Sequence, residues 1–158
     1  MRTESAMTPS PPPVFRELDR AECEAILARN QVGRIAFSFH DKVDIEPIHF
    51  AHRGEWLYVR TSPGAKIMTV AHNRWVAFEV DEIDGTFDWR SVVVRGSAYL
   101  IDPEGTKEDK RVHAEAVELL RGVIPETFRG TDPVGFRHLI LRIHLDDVTG
   151  RAATTSID

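Results

Sequence analysis

The residue types best suited to chemistry lie together in one stretch, Trp56, Leu57, Tyr58, Val59, Arg60, Thr61, Ser62, Pro63, Gly64, Ala65 and Lys66. Its first half alternates in the manner of a strand, with Trp56, Tyr58 and Arg60 on one face and Leu57, Val59 and Thr61 on the other. Its second half reads as a helix start. Ser62 suits an N-cap, and Pro63 suits the first helical position, where its missing N–H costs nothing. Such a junction presents free backbone N–H groups and the positive end of a helix dipole. Arg60, Thr61, Ser62 and Lys66 would surround it with further donors, an arrangement that suits an anion such as a terminal phosphate. An ordinary strand-to-helix turn with solvated cations has the same spacing, and both readings stay open at this level.

Other reactive side chains are sparser. His49 is a conceivable proton donor or a structural histidine with satisfied hydrogen bonds. His49 and His52 straddle a strand end, and His138 and His144 are six residues apart. No HExxH or compact Cys/His/Asp set is present, so no metal is expected. The single cysteine, Cys23, sits beside Ala21 and Ala25 in a helical pattern and reads as a packing thiol.

The chain has 158 residues, enough for one domain, and carries 20 Lys and Arg against 25 Asp and Glu, a formal charge of -5. That balance, with Arg90, Arg95, Trp56 and Trp75 dispersed among strands, argues against a nucleic-acid binder. No stretch approaches the roughly 18 apolar residues of a membrane span, and residues 1–13 lack the apolar core of a signal peptide. A cytoplasmic location is expected.

Residues 1–14 are expected to form a Pro-rich, disordered tail. Asp19 and Glu22 form a capping box for a helix to about residue 29. Residues 34–39, 45–51 and 55–61 then read as three strands with short turns, an antiparallel meander. A helix after Ser62 is expected to reach about residue 72, followed by strands over 75–83 and 90–101. Gly96 marks a bulge or a close backbone approach. Thr106 and Asp109 start another helix, residues 122–135 form a long loop, and residues 136–145 form the last strand. In that loop Phe128 is expected to anchor the chain or to cover a ligand. The expected domain covers 15–150, with a peripheral tail at 151–158.

Three runs taken together carry a resemblance: Gly33-Arg34-Ile35-Ala36-Phe37-Ser38, Pro47-Ile48-His49-Phe50, and Leu57-Tyr58-Val59-Arg60-Thr61-Ser62 with Gly64 and Lys66. With residues 76–81 and 89–96, they resemble the pyridoxamine 5′-phosphate oxidase-like, flavin-binding split-barrel family. The resemblance implies a mainly β fold, a six-stranded antiparallel split β-barrel with peripheral helices. It also implies a homodimer with FMN between the subunits. Arg60, Thr61, Ser62 and Lys66 match the phosphate-facing stretch; Pro47, Ile48, His49 and Phe50 match the stretch near the flavin ring. Glu79, Trp89 and Ser91 are further expected contacts, possible contributions of the second subunit. Glu79 could instead make a structural ion pair, and Trp89 could be a core or interface anchor.

The implied activity is an FMN-dependent oxidoreduction of a small organic substrate, with a reduced nicotinamide as a possible donor. A deazaflavin-dependent reductase, a non-catalytic FMN-binding or sequestering protein and a ligand-free structural dimer are the alternatives. No pyridoxamine 5′-phosphate-binding signature stands out in the C-terminal half, so oxidation of that compound itself is not the expected activity.

Overall fold

The structure is a computed structural model and describes residues 11–155. The expected tail therefore lies outside the described residues over 1–10, as do 156–158 at the other end. The described residues form β1 (Val14–Leu18), α1 (Arg20–Arg29), β2 (Val32–Phe39), β3 (Lys42–Arg53), β4 (Trp56–Thr61) and α2 (Ala65–His72). They continue with β5 (Trp75–Gly85), β6 (Asp88–Leu100), α3 (Lys107–Arg121), β7 (Leu139–His144) and β8 (Asp147–Thr154).

All strand pairs are antiparallel, in the order β1-β8-β6-β5-β2-β3-β4-β7, and β7 returns to pair with β6. Six strands thus close a ring, as the fold reading anticipated. β6 is long enough to serve both parts: residues 89–95 pair with β8, and residues 98–100 pair with β7.

Alternation fills the ring. Ile35, Phe37, Phe50, Leu57, Val59, Phe78, Val80, Val92 and Val94 point inward and are buried, with Cys23, Ile26 and Leu27 of α1 packed into the same core. The opposite face of β4 turns Tyr58 outward into a second core with Val112, Ala116 and Leu120 of α3. Both capping boxes form as read, Asp19 with Glu22 and Thr106 with Asp109. Gly96 is a close approach: a Cβ there would lie 1.8 Å from the His144 carbonyl oxygen. The bulge falls elsewhere, between Ile83 and Gly85. The β2–β3 turn is built on His40 and Asp41, with φ of 50° and 62°, the two left-handed residues of a tight hairpin.

Three boundaries differ from the reading. Val14 begins a strand, although it was assigned to the tail. The expected limit at 150 falls inside β8, where Ala152 and Ala153 are buried between β1 and β6. Small side chains carry little strand signal; the exposed backbone of β6 recruits this segment by pairing. The last barrel strand starts at Leu139, not at 136, because residues 134–137 turn on a hydrogen bond from Arg137 N to Val134 O of 2.8 Å. No helix among the described residues is long and apolar enough to cross a membrane.

An ion network ties α1 to the ring. Glu82 accepts from Arg29 at 2.5 and 2.8 Å, from Arg90 at 2.9 Å and from Asn30 at 2.8 Å. These donors, Arg29 first, hold its carboxyl well below the usual glutamate range. The network's stabilisation is therefore present above the ordinary value of 4.5 and is lost as pH falls below it. With Arg29 half exposed and screened, Glu82→Gln is expected to cost about 1–2 kcal/mol at neutral pH. Urea titrations of both proteins at neutral pH and near pH 3 should show the gap narrowing in acid; a constant gap would remove Glu82 as its source.

Candidate functional site

Strand pairing sets up the site. β4 pairs with β3 only at residues 50–53, so the earlier part of β3 has β2 on one side and no strand on the other among the described residues. That open edge faces the segment from Thr61 to Lys66. Two adjoining recesses lie between them. One, of about 330 Å³, is lined by Asp44, Glu46, Thr61, Ser62, Gly64 and Lys66 among others. The other, of about 140 Å³, is lined by Glu46, Arg60, Thr61, Ser62, Lys66 and Arg137, with Pro47, Ile48 and Phe136.

Ser62 is not the N-cap. α2 starts at Ala65 with Gly64 at the cap and no side-chain cap bond, and the first helical bond runs from Met68 N to Gly64 O at 3.2 Å. Ser62 and Pro63 instead line the recess.

Lys66 is the central cation. Its side chain is 12% exposed and ion-paired to Glu46. Burial pushes its ammonium below the usual lysine value, and the facing Arg137 guanidinium adds to the shift. Arg137 has no carboxylate partner among the described residues; its guanidinium lies 5.5 Å from the Phe136 ring centre. The sequence reading missed Arg137 altogether. It reaches Lys66 because β7 pairs with β4, which sets Leu139 opposite Thr61. A long-range pairing of that kind leaves no local trace; the nearest hint is a cation just ahead of an apolar strand.

Arg60 lines the smaller recess together with Thr61, Ser62 and Lys66, while its guanidinium runs beneath residues 122–137. There it is 5% exposed and its fork is engaged by Asp132, with Nη2–Oδ2 at 2.5 Å and Nη1–Oδ1 at 3.3 Å. Its Nε donates to the Arg137 carbonyl at 3.1 Å, and its guanidinium lies 4.5 Å from the centre of the Phe128 ring. Phe128 thus anchors the loop and stacks against His113, whose pKa burial lowers. Phe50 is also displaced from its expected place. It is fully buried in the ring, edge-on to Phe78 at 5.1 Å, because this part of β3 turns Ile48 and Phe50 inward. Pro47 and Ile48 line the smaller recess, whereas the exposed His49 lines a separate cavity beneath residues 122–137 with Arg60, Val134 and Arg137.

Glu79, Ser91 and Trp89 lie apart from Lys66, across the sheet. Glu79 is opposite Arg34, which is opposite Pro47, so Glu79 stands two strands, roughly 10 Å, from Pro47. Burial raises the Glu79 carboxyl pKa, helped by neighbouring Asp81, while Ser91 Oγ donates to it at 3.2 Å. Trp89 packs on Phe15 with ring centres 6.3 Å apart. Among the described residues no group of three or more His, Cys, Asp or Glu side chains is placed to hold a metal.

A family profile described as pyridoxamine 5′-phosphate oxidase matches residues 19–152. The chain belongs to the pyridoxamine 5′-phosphate oxidase family. The match spans every recess residue and nearly all of β8, so this family's unit includes the strand that the sequence reading cut short. An uncharacterized protein of Rhizobium meliloti is 29% identical over 147 residues, covering 87% of this chain and 95% of its own length. A FAD-binding protein of Mesorhizobium loti has a similar structure, with a TM-score of 0.73 and 26% identity, covering 90% of this chain and 99% of that one. A FAD-binding protein of Mycobacterium smegmatis matches with a TM-score of 0.63 and 27% identity, covering 86% and 98%.

Proposed function

We propose that this chain binds a flavin, with a phosphate in the recess at Lys66 and the ring along the open edge of β3 near Pro47, Ile48 and His49. One observation carries the reading. A largely covered lysine and an arginine with no carboxylate partner among the described residues converge with Arg60, Thr61 and Ser62 on a polar recess, beside a strand edge with no strand partner among the described residues. Donors of both kinds suit a phosphorylated, planar, hydrogen-bonding ligand. A bound flavin supplies hydride chemistry between a donor and an acceptor. The chain's own part is to neutralise the phosphate through Lys66, to orient the ring through the β3 backbone and to keep one edge open to a small organic substrate. FMN is the first reading, with a reduced nicotinamide as donor and the chain acting as an oxidoreductase. FAD is the second: two relatives are named FAD-binding proteins, and the recess of about 330 Å³ adjoins the phosphate position. Deazaflavin remains the third cofactor to compare.

A homodimer is part of the proposal. The outer face of β2, β3 and β5 exposes Val43 (74%), Ile45 (68%) and Trp75 (51%) around a recess of about 250 Å³. An apolar sheet face of this extent calls for a cover. Glu79, Trp89 and Ser91 would then reach a cofactor only from the second subunit.

Fluorescence titration with FMN, FAD and riboflavin tests the reading. Lys66→Ala is expected to weaken FMN binding about tenfold or more, the worth of a charge-assisted hydrogen bond, while leaving riboflavin affinity unchanged. Equal FMN affinity in the variant would remove the phosphate assignment. Anaerobic addition of NADH or NADPH to the FMN-loaded protein should bleach the flavin; binding without bleaching by any donor would favour the sequestering role.

A further inference from the structure

We infer that Arg137 is a second anion ligand of the Lys66 recess, and that the buried Arg60–Asp132 pair is the device that positions it. The inference rests on the phosphate reading above and goes beyond it by assigning one job to Arg137 and another to the Arg60–Asp132 pair, of which Arg60 lines the recess and Asp132 does not.

Residues 122–137 have no strand or regular helix to hold them; side chains hold them instead. Asp132 sits at the centre. Its carboxylate accepts the backbone N–H of Phe128 at 2.8 Å and of Val134 at 3.1 Å, as well as the Arg60 fork. Arg60 in turn reaches past Asp132 to the Arg137 carbonyl at 3.1 Å. One side chain on the ring's outer surface therefore fixes the segment that brings the Arg137 guanidinium round the end of β4 to the side of Thr61. Arg60 precedes Thr61 directly, so the clamp and the recess share one strand, which at these two residues pairs with β7.

A buried ion pair is a poor choice if holding a loop were its whole task. Apolar side chains of similar volume hold loops as well or better, whereas a bidentate pair specifies geometry. What the geometry specifies here is the location of a guanidinium with no carboxylate partner among the described residues, facing a lysine paired with Glu46. Arg60, Lys66 and Arg137 line this recess with Glu46 as its one lining carboxylate, and a bound anion would relieve the mutual repulsion of Lys66 and Arg137. A phosphate monoester, with two charges and several acceptor oxygens, suits that position.

The test compares the ratio of FMN to riboflavin affinity in the full chain, with a thermal melt of each variant. Arg137→Gln should lower the ratio about tenfold or more at an unchanged melting temperature, because the clamp binds only its backbone carbonyl. Arg137→Lys should restore part of it, and Arg129→Gln, the same charge change at an exposed loop position, should leave it at the wild-type value. Asp132→Asn and Arg60→Lys should each lower the ratio, although Asp132 does not line the recess. A wild-type ratio in Arg137→Gln, or an equal fall in Arg129→Gln, overturns the ligand assignment. A wild-type ratio in folded Asp132→Asn and Arg60→Lys, or loss of the fold in both, overturns the positioning role. If the wild-type protein itself shows no preference for FMN over riboflavin, the parent reading has failed, a result separate from all of these.

Discussion

Asp132→Ala should destabilise the fold by about 3–5 kcal/mol, among the largest effects of any single change outside the apolar core. Arg60 and Asp132 are 5% and 3% exposed, so removing the carboxylate strands a guanidinium away from water and frees two backbone N–H groups that it had bonded. Arg60→Met combined with Asp132→Leu should cost far less than Asp132→Ala alone, since no charge is then left buried. Urea denaturation of the three proteins decides this; a double variant as unstable as the single one would show that the pair itself, and not an orphaned charge, carries the energy. The same pair imposes an acid limit. The Arg60 fork, with help from the Phe128 and Val134 amides, holds the Asp132 carboxyl down to about 2 from an ordinary 3.8. Its stabilisation is complete above 3.8 and is lost as pH falls toward about 2. Asp132→Asn should flatten that part of the stability profile.

Phe50→Ala should cost a similar 3–5 kcal/mol, by loss of buried area and by the cavity left against Phe78. The reason to make it is that Phe50 belongs to the run expected beside the flavin ring. A core residue and a ring contact give different results. With Phe50 inside the strand ring, melting falls steeply, while flavin affinity measured well below the melting temperature changes little. A variant that melts normally but loses flavin would restore the expected contact and contradict the burial. Phe50→Leu, which keeps most of the volume, should recover most of the lost stability.

Much of the architecture was legible before any coordinates. The two capping boxes, the alternation of residues 56–61 and 75–81, and the close approach at Gly96 each depend on neighbours within a few residues or on one side chain's size. Alternation puts Arg60 and Thr61 on opposite faces of β4, yet both line the smaller recess. The strands at either end were not legible: β8 has small side chains, and β1 is ordered by pairing with it.

Local chemistry in the sequence determined a polar turn ahead of α2 that carries Lys66. Tertiary structure alone decided how each arginine of the recess is held. Arg60 is claimed by Asp132, 72 residues away along the chain, and Arg137 arrives through the pairing of β7 with β4. The physical reason is range. Caps and strand faces follow from the backbone's own repeat, whereas the partner of a charge follows from contacts that exist only once the ring has closed.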